Sequence, residues 1–249
     1  MPVAPLRAIQ DVRRLLAEQF PDARPLVERD AERLARPVST NVPALDRALP
    51  GGGLPRGKLT AWAPAAGAAT LLRSACRAVL AGGERAAWID GTETLTYGWG
   101  PSRDGAAGDA LPLVVQPNDR MNALRCAELV LRSGAFALVV LEMAAGSEPA
   151  GTETVRLTRA TRDGGSALVV LTERGSMAAL RITSRLLPSA VRWQRGPFGA
   201  AAPVEVRAEV RARALGWNEW AEVTLAVAAY DLRDALDPRP ADRRGARDA

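Results

Sequence analysis

The chain has 249 residues, 47% of them hydrophobic, enough for one substantial α/β core, and no apolar run approaches the length of a membrane span. Its 33 basic and 28 acidic residues leave a net charge of +5, compatible with nucleic acid or with an acidic partner and decisive for neither. Histidine is absent, which removes imidazole general bases, Ser-His and Cys-His nucleophile pairs and the commonest transition-metal ligand.

The start of the chain, Met1-Pro2-Val3-Ala4-Pro5, has neither a basic nor an apolar leader segment, so the expected compartment is the cytoplasm. Residues 6 to 19 carry Leu6, Ile9, Val12, Leu15 and Leu16 at helical spacing, and a second helix follows from Ala23 to Leu34. Residues 1–36 therefore read as a helical arm, which either packs back on its own core or docks on another protein, with Leu15 and Leu16 as candidate anchors. A core domain is expected over 37–230, and an Arg/Asp-rich tail without apolar periodicity, expected to be disordered, over 231–249.

Within the core, strands and helices alternate. Leu59 to Ala63 reads as a strand, Thr70 to Leu80 as a helix and Ala86 to Asp90 as the next strand, a βαβ unit punctuated by Gly82-Gly83 and Gly91. Leu113 to Val115 is a short strand, Arg120 to Ser133 a helix, Ala137 to Leu141 a strand, Thr152 to Arg162 a helix and Ala167 to Leu171 a strand. Runs such as Leu138-Val139-Val140-Leu141 suit a parallel sheet covered on both faces. After Val191 the segments 204–207 and 222–227 alternate like strands with one wet face, so the sheet is expected to finish antiparallel. The two cysteines, Cys76 and Cys126, fall at apolar positions of helices and read as small core residues.

The stretch Ala63-Pro64-Ala65-Ala66-Gly67-Ala68-Ala69-Thr70 sits between strand and helix, where a P-loop would cradle phosphate. A P-loop of the pattern G-P-x-x-x-G-K-T needs glycines whose N–H groups converge on phosphate, a lysine for the β and γ phosphates and a hydroxyl for Mg²⁺. Here Ala63 takes the first glycine, Ala68 the second, Ala69 the lysine, and Thr70 alone survives; Gly67 is one place early. Losing one charge-assisted hydrogen bond costs about 1.5–3 kcal/mol. A Cβ at a left-handed position adds roughly 1–2 kcal/mol, together on the order of a thousandfold in affinity. No cofactor and no metal are expected.

Around that loop the order of motifs resembles the core of the RecA recombinase family and, within it, the shorter proteins called the ImuA family. The resemblance rests on Val38-Ser39-Thr40, Leu45 to Leu49, Gly52-Gly53-Leu54-Pro55-Arg56-Gly57, Trp88-Ile89-Asp90, Gln116-Pro117-Asn118-Asp119 and Leu138 to Glu142, in that order over residues 38 to 228. It implies a RecA-like α/β fold, a mainly parallel central sheet covered by helices. It puts Thr92 where recombinases carry a catalytic Glu and Glu142 at the Walker B acid. With these changes the resemblance implies a chain that is not an enzyme. Thr70 is then expected to cap its helix, and Glu142 to be a buried acid satisfied by neighbouring backbone.

The first recombinase DNA loop would fall at Ala144 to Thr154, which has no basic residue, and the second, from Thr172, is short. Arg174, Arg181, Arg185, Arg192 and Arg195 form the best basic cluster, for weak, salt-sensitive DNA contact or a protein partner. Trp217 and Trp220 at a hairpin turn either anchor a partner or cover a sheet edge. The resemblance implies an accessory factor in DNA-damage-induced (SOS) error-prone translesion synthesis, with an ImuB-like protein, RecA and an error-prone DnaE-type polymerase as partners. A DNA-dependent ATPase with a degenerate P-loop, or a regulator similar to cell-division inhibitors, are the alternative functions.

Overall fold

The computed structural model describes residues 36–65, 67–92, 111–173, 175, 177–195 and 201–226. The arm with Leu15 and Leu16, the Arg/Asp-rich tail and Arg174 lie outside the described residues. Among the described residues, one sheet runs in the order β3-β2-β4-β5-β1-β6-β7-β8. β1 is Leu59–Trp62, β2 Ala86–Gly91, β3 Leu113–Val115, β4 Leu138–Met143 and β5 Ala167–Leu171, all paired in parallel. β6, Leu180–Arg195, lies parallel to β1 and antiparallel to β7, Ala201–Ala214, which pairs antiparallel with β8, Trp217–Ala226.

Helices α1 (Pro43–Ala48) and α2 (Ala68–Ala81) cover one face of this sheet, and α3 (Arg120–Arg132) and α4 (Thr152–Gly164) cover the other. The first core gathers Leu45, Leu71, Leu72 and Cys76 on Trp62, Trp88, Val140, Ile182, Val210 and Val223. The second gathers Leu124, Ala127, Leu131 and Leu157 on Ile89, Val139, Leu141 and Val170. In β4, Leu138 to Leu141 are all fully buried, because side chains that alternate between faces meet helices on both. Burial also pushes the Cys76 thiol up to about 12, which leaves it an inert core residue.

The segment before β1 folds around its own polar groups. Asp46 accepts from the Thr40 N–H at 2.8 Å, the Thr40 hydroxyl at 2.7 Å and the Ser39 hydroxyl at 2.6 Å, while Val38 and Leu54 exchange backbone bonds at 2.8 Å. Arg56, nearly buried, donates from Nε to the Arg36 carbonyl at 2.9 Å and from its guanidinium to Glu84. The motif residues Ser39, Thr40, Asp46 and Arg56 thus build a local scaffold that fixes where β1 begins.

β6 departs from expectation. The alternation expected at 204–207 and 222–227 falls in β7 and β8, whereas β6, which runs from Leu180 to Arg195 through Pro188, was not among the expected strands. The expected Thr70 to Leu80 helix begins two residues sooner, at Ala68.

Candidate functional site

The loop between β1 and α2 folds onto itself. Ala63 N–H continues the sheet by donating to the Ile182 carbonyl at 2.9 Å, Ala65 N–H turns back to the Ala63 carbonyl at 2.8 Å, and Ala68 N–H goes to the Ala65 carbonyl at 3.1 Å. The Ser184 hydroxyl donates to the same Ala65 carbonyl at 2.8 Å. Two of the N–H groups a phosphate cradle would aim outward are therefore spent inside the loop.

Gly67 supplies the left-handed turn, with φ +86°, one place before the position that aligns with the P-loop glycine. A Cβ on Gly67 would stand 2.2 Å from Leu225 Cδ1, so an apolar side chain from β8 lies directly against this glycine. Ala68 is buried, and Ala69, at the lysine position, packs against the apolar core under α2. Thr70 is not the cap that its hydroxyl suggests. Gly67 is the N-cap, without a side-chain bond, and Thr70 is exposed in the first turn.

At the carboxyl ends of the strands, Asp90 of β2 and Glu142 of β4 are direct neighbours. The Trp88 indole N–H donates to Glu142 Oε2 at 3.1 Å, so the acid takes a bond from an indole where a backbone partner was expected. Burial raises the Glu142 pKa; the Asp90 charge pushes the same way, against the Trp88 hydrogen bond and the Arg73 charge. Arg73, on α2, has a buried Nε with no hydrogen-bond partner in the structure. Asp90 is fully buried and accepts the Thr92 N–H at 3.1 Å, the Thr92 hydroxyl at 2.8 Å and Gln116 Nε2 at 3.3 Å. Thr92, in the place of a catalytic acid, satisfies Asp90.

Arg120 was absent from the sequence-based site, although it reaches across the Ala144 to Thr154 loop. Its Nε donates to the Ser147 carbonyl at 3.1 Å and its two terminal nitrogens grip Glu153. It joins Thr92, Asn118, Asp119 and Met143 around a cleft of about 260 Å³. The loop lacks a basic residue of its own, but a helix N-terminus brings one to it.

The expected arginine cluster is dispersed. Arg181, Arg185, Arg192 and Arg195 all belong to β6, and fourteen residues of strand separate the first from the last by roughly 45 Å. Arg185 pairs with Glu209 at 3.3 Å, and Arg192 grips Glu205 through two bonds of 2.8 and 2.7 Å. Trp217 donates its indole N–H to the Ala48 carbonyl at 2.9 Å and so covers the end of α1, whereas Trp220 is 60% exposed.

The chain is 39% identical over 115 residues to Protein RecA of Deinococcus radiodurans, covering 45% of this chain and 31% of that protein. It is 36% identical over 128 residues to Protein RecA of Nocardia farcinica, covering 49% and 36% respectively. The chain is RecA-like over about half its length. It spans about a third of the length of these curated relatives, and no protein-family model matches it. Among the described residues no helix is long and apolar enough to cross a membrane.

Proposed function

We propose that this RecA-like chain is a catalytically inactive accessory protein of the ImuA kind, acting in DNA-damage-induced error-prone translesion synthesis by binding other proteins. Its partners in this reading are an ImuB-like protein, RecA and a DnaE-type polymerase. The observation that carries the reading is the loop at Ala63–Thr70, whose Ala65 and Ala68 N–H groups bond within the loop while Leu225 lies on Gly67. Hydrolysis also needs cations on the transferred phosphoryl group and a placed base, and the matching positions hold Ala69 and Thr92.

The test has two arms. Thermal melting with Mg-ATP at millimolar concentration is expected to leave the transition unmoved, since a ligand at a hundredfold excess over its Kd would add about 2.7 kcal/mol. A clear stabilisation or measurable turnover would replace this reading with the DNA-dependent ATPase. Pull-down against the ImuB-like protein, RecA, the polymerase and a division protein from the same cell is expected to retain the first three. Retention of the division protein alone would favour the division regulator.

A further inference from the structure

Among the described residues, the three antiparallel strands keep one face on α1 and α2 and leave the other open, and that face is laddered with charge. Arg185 meets Glu209, Arg192 meets Glu205, Arg207 meets Glu222 at 2.6 Å, and Arg211 reaches Glu209 at 2.8 Å. One rung breaks the pattern. Arg181 of β6 lies directly opposite Arg213 of β7, and Arg213 is opposite Asn218 of β8, so two exposed arginines face each other with no acid on the rung. Neither makes an ion pair among the described residues. Like charges directly opposite each other weaken a sheet, so the arrangement is a small cost to the fold. The next rung places the exposed Trp220 opposite Arg211, and Leu215 at the adjoining turn is fully exposed. Gly175 packs against β1 and the Arg181 side chain: a Cβ there would stand 2.6 Å from Ala61 Cβ and 3.3 Å from Arg181 Nε.

We propose that this rung is the docking site for a short acidic segment of a partner protein, whose carboxylates complete the ladder on Arg181 and Arg213 and whose apolar side chain lies on Trp220. The inference rests on the protein-binding reading above for its class of partner. Arginine forks match carboxylates in two parallel bonds, and arginine with tryptophan is the composition of interface hot spots. A short acidic segment fits better than a long polyanion because the unmatched arginines are confined to one rung: four residues along β7 and β8, Glu209 and Glu222 lie opposite each other and already hold Arg185, Arg211 and Arg207. A segment with two or three carboxylates stops short of them.

The probe is a fluorescein-labelled synthetic decapeptide carrying three aspartates around one phenylalanine, measured by anisotropy against the full chain. Controls are the same peptide with asparagine for aspartate and a labelled thymidine decanucleotide. Binding of the acidic peptide is expected at low salt, falling as salt rises, with the asparagine peptide silent. Arg213→Glu is expected to abolish binding while melting no lower than the parent, since it turns an Arg–Arg rung into an Arg–Glu rung; misfolding cannot produce that combination. Trp220→Ala is expected to weaken binding about tenfold, and Arg192→Ala, far up β6, to leave it unchanged. Failure of the acidic peptide to bind, or equal binding by Arg213→Glu, overturns the proposal. Tighter binding of the oligonucleotide through Arg213 overturns it in favour of a nucleic-acid face. Peptide binding with no capture of the damage-response proteins would fault the proposed pathway and leave this surface standing.

Discussion

The central parallel strands β1, β2, β4 and β5 bury both faces, and the antiparallel strands bury one. In β4 every residue from Leu138 to Leu141 is fully buried, whereas β7 alternates buried Ala208, Val210 and Ala212 with exposed Arg207, Arg211 and Arg213. Charge in the parallel part is confined to strand ends, at Asp90 and Glu142, where neighbouring side chains satisfy it. In the antiparallel part charge fills a whole face. The half of the sheet that houses the phosphate-loop position keeps its charges at strand ends, and the half built beside it displays them along an open face.

The largest test of that contrast is a pair of truncations. Leu141→Ala, inside the two-sided core, is expected to cost about 2–5 kcal/mol, while Thr183→Ala, on the open face, should stay within about 0.5 kcal/mol of the parent. Chemical denaturation of both variants measures this. Comparable losses would mean that the open face is covered in solution.

A smaller effect is expected where the two halves touch. Gly67→Ala puts a Cβ at φ +86° and against Leu225 Cδ1, so it should cost roughly 1–2 kcal/mol from the backbone alone, plus a clash. In a Leu225→Ala background the clash disappears and the cost should shrink toward the backbone value. A double-mutant cycle that returns zero coupling would remove Leu225 from the loop, and with it much of the case against a nucleotide there.

Next comes the acid pair. The folded pKa of Glu142 lies above its ordinary value near 4.5, so the folded chain holds that proton better than the unfolded chain does. Its contribution is favourable below the ordinary value and is lost as pH rises through the raised one, leaving an ionised carboxylate beside Asp90. Glu142→Gln keeps an acceptor for the Trp88 indole. The variant should melt above the parent at pH 7 and lose that advantage near pH 4. A variant less stable than the parent at pH 7 would show that Glu142 is held ionised by Arg73.

Most of the parallel half was legible because its signals are local. Continuous apolar runs bounded by glycine gave β2, β4 and β5 to within two residues, and the antiparallel finish followed from the alternation at 204–207 and 222–227. β6 was missed because Leu180 to Leu187 mixes Arg181, Thr183, Ser184 and Arg185 with apolar residues ahead of Pro188, and among the described residues no helix separates it from β5. The missing lysine was plain in the sequence, but the means of closing the loop was not. Leu225 lies 158 residues from Gly67, and only the placement of β8 brings them together. The Trp88 bond to Glu142 depends likewise on β2 lying next to β4, and the scattering of the arginines on β6 being one long strand.

The smallest expected effect is on the ladder itself. Arg192 and Glu205 form two good hydrogen bonds, yet both side chains are exposed, and an exposed ion pair gives back in side-chain entropy and solvation most of what it gains. Arg192→Ala should therefore leave the melting temperature unchanged. It should still be visible by NMR titration, because the Arg192 hydrogen bond holds the Glu205 carboxyl below its ordinary value and its loss should let that pKa rise. A shifted titration with an unshifted melt would mean that the ladder orients its side chains without holding the fold together. On such a face a rung without its acids costs the protein little stability, so Arg181 and Arg213 can stay unmatched until a partner supplies the carboxylates.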